Sequence, residues 1–255
     1  LVHGISESTA TWPPDSFIGR LTARERHALL SRGGYGIFRP GEHLLMDGDS
    51  RGGYVILIHA GQVKVVMRDE QGTEHLLGIR ARGSLLGEMS YLDGLPRSAG
   101  VVAINQVRAS TIAWDKLDLF LRDHPRVGME IARLLADRLR ESDQSGREIR
   151  TEPVPVRLVK LLRSLAADFA DYGARGSVIP LSQAEIAQLA RAAEVTVNRL
   201  LREFRGRRMV RTDYRRLAVP CVTCLDHLVK AVQVDPKEGA KDVLGCGGTD
   251  PHRQE

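Results

Sequence analysis

The feature that most constrains the fold is a change of hydrophobic period near Pro125. From Tyr35 to Trp114 apolar and polar residues alternate in short runs. Turn residues interrupt these runs at Pro40-Gly41, Asp47-Gly48-Asp49, Gly52-Gly53, Gly61, Gln71-Gly72, Gly83 and Asp93-Gly94. Alternation with a period of two places successive side chains on opposite faces. Many short strands separated by turns close into an antiparallel sandwich or barrel, of which a jelly roll is one solution. After Pro125, Ile131, Leu135, Leu139 and Ser142 recur every three or four residues among Arg, Asp and Glu, which is the spacing of an amphipathic helix. A narrow stripe on a long helix suits a two-stranded coiled coil, so Arg126 to about Gly146 is expected to pair two copies of the chain. Packing of that stripe on the chain's own strands is the alternative. Thr151-Glu152-Pro153-Val154-Pro155 ends the helix, because each proline removes a donor and restricts the residue before it; a hinge is expected there.

Beyond the hinge, Leu158, Leu161, Leu162, Leu165 and Phe169 keep helical spacing, and 171–176 reads as a loop. Ser182-Gln183-Ala184-Glu185 is a capping box, in which the serine oxygen takes a backbone N–H and the glutamate reaches back. Ile186, Leu189 and Ala190 supply the inner face of that helix. A break falls at Arg191-Ala192-Ala193, and Val197, Leu200, Leu201 and Phe204 resume the period. Two short helices joined by a tight turn make a helix-turn-helix, followed by two strand-like runs from Val210 to Val219 that read as a wing. The chain of 255 residues is long enough for two domains. The expected organisation is α+β: an extension (1–16), an N-terminal antiparallel β-roll (17–122), a long dimerisation helix (123–150), a C-terminal winged helix-turn-helix (151–220) and a tail (221–255).

The second helix of the pair exposes Glu194, Val195, Thr196, Asn198, Arg199 and Arg202 opposite its apolar stripe. Arginine grips the two acceptors of guanine, a carboxylate accepts from cytosine, and an apolar side chain touches the thymine methyl. Ser182 and Gln183 at the start of the first helix and Arg215 in the wing complete the expected duplex-DNA surface. Arg199 to Arg216 holds eight arginines against Glu203 and Asp213, a local excess of +6 within a chain whose net charge is +5. Arginines of the wing suit the phosphate backbone, which positions a protein without reading sequence. A solvated basic face on an ordinary helical domain is the other reading.

Gly87 to Ala99 reads GEMSYLDGLPRSA and places one carboxylate and one arginine on a loop between two strand-like runs. A turn with a surface salt bridge, generally worth under about 1 kcal/mol, is one account of it. A binding loop is the other: Arg97, the Ser98 hydroxyl and nearby backbone N–H groups suit one phosphate, and Glu88 suits a sugar hydroxyl. Phosphate and ribose together describe a nucleotide, and a β-barrel interior holds one small ligand.

Other classes recede. The longest apolar runs, such as Tyr54 to Ile58, fall far short of the roughly 18 residues that a membrane span needs, so no membrane partner is expected. Leu1 to Ala10 lacks the basic start and apolar core of a signal peptide, and a cytoplasmic location is expected. The three cysteines fit a reducing compartment. Cys221, Cys224, His227 and Cys246 have zinc-like spacing, but a tail with incidental thiols is preferred and no metal is expected. His27, His43, His59 and His75 form no catalytic group, so no enzyme is expected.

The order of β-roll, GEMSYLDGLPRSA, long helix and LSQAEIAQLARAAEVTVNRLLREF resembles the bacterial cyclic-AMP receptor protein and fumarate-nitrate regulator (Crp/Fnr) superfamily of transcription regulators, from about Phe17 to Pro220. The resemblance implies that Glu88 accepts from the ribose 2′-hydroxyl and that Arg97 with Ser98 holds a cyclic phosphate. The backbone at Gly87 and Ala99 would line the site, and cyclic AMP (cAMP) is the favoured effector. The base-contacting Thr-Ser pair of those proteins corresponds to Ser142-Asp143 here. Asp143 would accept from an exocyclic amine, repel an anionic ligand or select a different base. The resemblance further implies a homodimer on a pseudo-palindromic double-stranded DNA operator, with RNA polymerase among the partners. Ligand bound between the roll and Ser142 or Asp143 would shift the hinge. Two other readings stay open: the same fold with a different effector or none, or a nucleotide-binding module acting on a protein partner. Family recognition helices often begin Arg-Glu-Thr-Val. Here Glu194-Val195-Thr196-Val197 replaces that start, and of the base-contacting trio only the arginine, at Arg199, matches. Arg191 stands where the turn glycine is usual, so a left-handed backbone is expected there, and Ala193 cannot cap the second helix.

Overall fold

Val55, Ile56, Leu57 and Ile58 are all buried, so the strand that carries them faces apolar material on both sides. In the computed structural model, which describes residues 12–170, 176–220 and 225, this strand is central to a β-roll. The chain enters through α1 (Ala23–Leu30) and then runs through β1 (Gly34–Phe38), β2 (His43–Leu45), β3 (Tyr54–Ala60), β4 (Val63–Arg68), β5 (Glu74–Arg80) and β6 (Leu85–Leu86). Next come α2 (Glu88–Asp93), β7 (Gly100–Ala103), β8 (Val107–Ala113), α3 (Trp114–Asp123) and α4 (Pro125–Thr151). The strands form two four-stranded sheets, ordered β1-β8-β3-β6 and β2-β7-β4-β5, with antiparallel neighbours. Ile56 and Ile58 point into one core with Leu44, Leu86, Val101 and Val107. Val55 and Leu57 point the other way, onto a core shared with Leu29, Leu117, Phe120, Val127 and Ile131 of the helices. The alternation of the strand thus serves two cores at once.

Two segments depart from the sequence reading. Glu88–Asp93 is a helical turn rather than loop, bracketed by glycines in the left-handed region, Gly87 at φ 81° and Gly94 at φ 71°. Only glycine adopts that backbone freely, so the pair starts and stops a single short helix. The α4 stripe also divides. Ile131 is buried in the chain's own roll while Leu139 is 64% exposed, because apolar residues lie on two faces of α4 rather than one.

A compact unit spans Leu1–Glu141 and a second spans Ser142–Glu255, so the boundary falls inside α4. The second contains α5 (Val154–Asp168), β9 (Ser177–Ile179), α6 (Gln183–Leu189), α7 (Glu194–Gly206), β10 (Arg211–Asp213) and β11 (Arg216–Val219). Its sheet is ordered β10-β11-β9, so the expected two-stranded wing gains a third strand. Leu158, Leu162 and Leu165 of α5, Ile186 of α6, and Val197, Leu201 and Phe204 of α7 are buried. The capping box at α6 is complete: Glu185 N–H donates to Ser182 Oγ and Ser182 N–H to Glu185 Oε2. Cys221, Cys224, His227 and Cys246 lie outside the described residues. No helix among those described is long and apolar enough to cross a membrane.

Candidate ligand cassette and nucleic-acid interface

α2 and the segment after it bring Gly87, Glu88 and Arg97 together. Glu88, the first residue of α2, is 1% exposed, and Arg97 is 4% exposed. The Arg97 guanidinium donates to Gly87 O at 2.8 Å and to Gly52 O and Tyr54 O at 2.5 Å each. The rings of Tyr54 and Trp114 stand 5.3 and 5.7 Å from its central carbon. Burial lowers the proton affinity of this guanidinium, and the charges of Tyr54, Asp49 and Glu88 work against that. A Cβ at Gly87 would meet Arg97 Nη1 at 2.5 Å, so the glycine leaves the room the guanidinium occupies. Ser98 is exposed, its Oγ 3.7 Å from Met89 Sδ, and Ala99 is half-buried.

Glu88 has a partner that the sequence reading did not name. Arg138 of α4 donates through Nη1 to Glu88 Oε1 and through Nη2 to Leu85 O at 2.7 Å. Burial lowers the pKa of Arg138, and the Glu88 carboxylate opposes that shift. Glu88 Oε2 and Arg138 Nε are both buried, and neither has a hydrogen-bond partner among the described residues. The pair therefore keeps one open acceptor and one open donor. Arg138 lies four residues before Ser142, on the same helix face, but no pattern in the sequence pairs it with Glu88, 50 residues away. Ser142 and Asp143 are exposed on α4 at the start of the second unit. Among the described residues no group of three or more His, Cys, Asp or Glu could hold a metal ion.

In the second unit, α7 presents Glu194, Val195, Arg199 and Arg202 as exposed residues, with Thr196 and Asn198 half-buried. Val195 is 79% exposed, an apolar side chain left in solvent on a helix whose other aliphatic residues are buried. Ala193 precedes α7 without a side-chain cap, as its chemistry requires. Asn198 Oδ1 is buried without a hydrogen-bond partner among the described residues. The α6–α7 turn places Arg191 at φ 48°, and the turn between β10 and β11 places Arg215 at φ 51°. Arg215 and Arg216 are exposed there. Ser182 spends its hydroxyl on the α6 cap, and Gln183 beside it is half-buried.

Comparison with known proteins assigns both units. The family described as "Cyclic nucleotide-binding domain" matches residues 37–124, and "Crp-like helix-turn-helix domain" matches 156–227. The "CRP-like cAMP-activated global transcriptional regulator" of Mycobacterium tuberculosis is 33% identical over 176 residues, covering 68% of this chain and 79% of that protein. The "Cyclic AMP receptor protein" of Thermus thermophilus is 31% identical over 180 residues, covering 69% and 78%. Among solved structures, the c-di-GMP-responsive global regulator CLP of Xanthomonas campestris matches with a TM-score of 0.65 at 18% identity. That match covers 78% of this chain and 99% of that one, and it bears on the fold.

Proposed function

The chain belongs to the Crp/Fnr superfamily of DNA-binding transcription regulators, and on that premise we propose that it is a homodimer whose β-roll takes a nucleotide-class effector without being committed to cyclic AMP. The observation that carries the proposal is the open Oε2 of the buried Glu88, next to a guanidinium at Arg97. A carboxylate oxygen with a buried, unfilled acceptor site is costly unless something donates to it, and a sugar hydroxyl does so. Arg97 would hold the phosphate by exchanging carbonyl partners for phosphate oxygens, with Ser98 and the backbone at Ala99 beside it. The two relatives named above are a cAMP-activated regulator and a cyclic AMP receptor protein, which supports cAMP as one candidate. The same fold in the Xanthomonas protein responds to c-di-GMP, so the fold does not fix the nucleotide. Asp143, standing where the resemblance puts a hydroxyl, would accept from an exocyclic amine, which both adenine and guanine carry, so it leaves the base open.

On the DNA side, Glu194, Val195, Thr196, Asn198, Arg199 and Arg202 would meet base edges and Arg215 the phosphate backbone. Two-fold symmetry then calls for a pseudo-palindromic operator with half-sites about one duplex turn apart. RNA polymerase is the partner expected once the dimer is on its operator.

A second reading has its own support: Arg97 is satisfied by backbone carbonyls and one oxygen of Glu88, Oε1, by Arg138, so much of the cassette stands on contacts internal to the chain. In that reading DNA binding is independent of a roll ligand. Calorimetric titration with cyclic AMP, cyclic GMP and c-di-GMP, alongside Arg97→Ala, separates the two. Saturable binding to one nucleotide that disappears in the variant supports effector control and names the base. No heat with any of them, from a dimer that still binds DNA, supports the ligand-independent reading.

A further inference from the structure

We propose that Arg157 is a positioning residue that holds the turn of the helix-turn-helix and ties it to the hinge after α4. The proposal goes beyond the contacts of α7 with DNA but rests on reading α6 and α7 as the DNA-binding element. α6 is short and has no basic residue in its last turn, so its C-terminal carbonyls lack a cation of their own. The chain leaves α6 by a Schellman arrangement: Ala192 N–H donates to Ala187 O at 3.1 Å and Arg191 N–H to Gln188 O at 3.0 Å. Arg191 occupies the position in this motif that glycine normally fills, and it does so at φ 48°. A side chain held there needs support from its surroundings.

Arg157 of α5 supplies that support. Its Nε donates to Ala190 O at 3.4 Å and its Nη2 to Arg191 O at 3.2 Å, which provides donors for two carbonyls that the turn itself leaves over. The remaining nitrogen, Nη1, donates to Glu152 O at 2.8 Å. Glu152 is the residue between the end of α4 and Pro153. Its carboxylate is taken by Lys160, nearly two turns into α5, at 2.5 Å. One planar guanidinium thus joins the hinge carbonyl to both carbonyls of the reading turn. A displacement of Glu152 carries the α6–α7 turn with it, because the three acceptors share one rigid donor group. Lysine cannot replace this, since an ammonium is a point charge without the fork.

Hydrogen exchange of the full-length chain tests the clamp, comparing wild type with R157A, R157K, R191G and R157A/R191G. Amides from Ala192 to Val197 are expected to exchange about tenfold faster in R157A and R157K. R191G is expected to restore most of the protection in R157A, because glycine holds φ 48° unaided. Exchange at the buried Leu200, Leu201 and Phe204 of α7, in the same unit as the substitutions, stays unchanged and reports that the variants fold. Unchanged protection in both R157A and R157K, or no recovery with R191G, overturns the proposal. A second arm uses a duplex selected from a randomised pool by the wild-type protein. R157A is expected to bind it about tenfold more weakly with the same dependence on salt. A slope of log K on log salt that falls by about one would make Arg157 a phosphate contact and overturn the positioning role. If the wild-type protein selects no duplex while the exchange pattern holds, the DNA reading falls and the clamp stands.

Discussion

A carboxylate that is 1% exposed has its energetics decided by its partners, and Glu88 has one in Arg138. Removing one member of a buried pair strands the other, at a cost of about 3–5 kcal/mol, whereas replacing both by apolar or neutral groups is far less damaging. Arg138→Ala is therefore expected to lose about that much in urea unfolding, and Glu88→Gln added to it should recover most of the loss. The titrating residues of the roll set a second expectation. His59 donates to or accepts from Ser110 Oγ at 2.7 Å, packs against Trp12 and Tyr35, and is depressed to about 4 by burial and by the charges of Arg108 and Arg82. Its folded value lies below the ordinary 6.5, so between the two the unfolded chain takes up a proton that the folded chain refuses. Stability is thus complete above about 6.5 and falls as pH drops towards 4. Glu25, held near 2 by its hydrogen bond to Arg126, adds a lower window in which stability is lost from 4.5 downward. Urea midpoints measured from pH 7.5 to 3 should show both phases, and His59→Gln should remove the upper one alone.

At the scale of elements, what the sequence disclosed depends on how far apart the cooperating residues lie. The α6 capping box was legible because Ser182 and Glu185 meet across three residues. The left-handed Arg191 was legible through the resemblance, which puts a turn glycine at that position. α2 was not, since six residues between glycines carry too little periodicity to separate a helical turn from a loop. Arg138 meets Glu88 across 50 residues and Arg157 meets Arg191 across 34, and no local pattern encodes such pairings. α4 shows a further limit: apolar letters do not say whether they face the same chain or another copy. Val127 and Ile131 serve the roll, while Leu139, 64% exposed, lies on a row with Ala132, Leu135, Ser142, Gly146 and Ile149 at alternating intervals of three and four. That row has the spacing that the seam of a two-stranded pairing requires. Leu139→Asp is expected to shift the protein from dimer to monomer in sedimentation at micromolar concentration, with the circular dichroism of the roll unchanged.

For the molecule as a whole, charge is placed rather than spread: a chain of net +5 concentrates eight arginines between Arg199 and Arg216. Binding that neutralises phosphates releases counterions, so log K should fall steeply and linearly with log salt. Replacing Arg199 and Arg202 by Ala should weaken operator binding, and any arginine that contacts a phosphate should lower the slope by about one when removed. A flat salt response with unchanged affinity in the double variant would place the DNA surface elsewhere. The three-and-four row on α4 reaches further than the pairing it would form. Its average step of 3.5 residues differs from the 3.6 of a straight helix, so the row drifts by about 20° per heptad and two copies paired along it would wind left-handed around each other. Adding one residue to α4 after Gly146 would turn every later side chain by about 100° about the helix axis, while adding seven would return the phase to within about 20°. If the pairing forms, the length of this helix is constrained modulo seven, and its phase at Thr151 is as much a specified quantity as any side chain it carries.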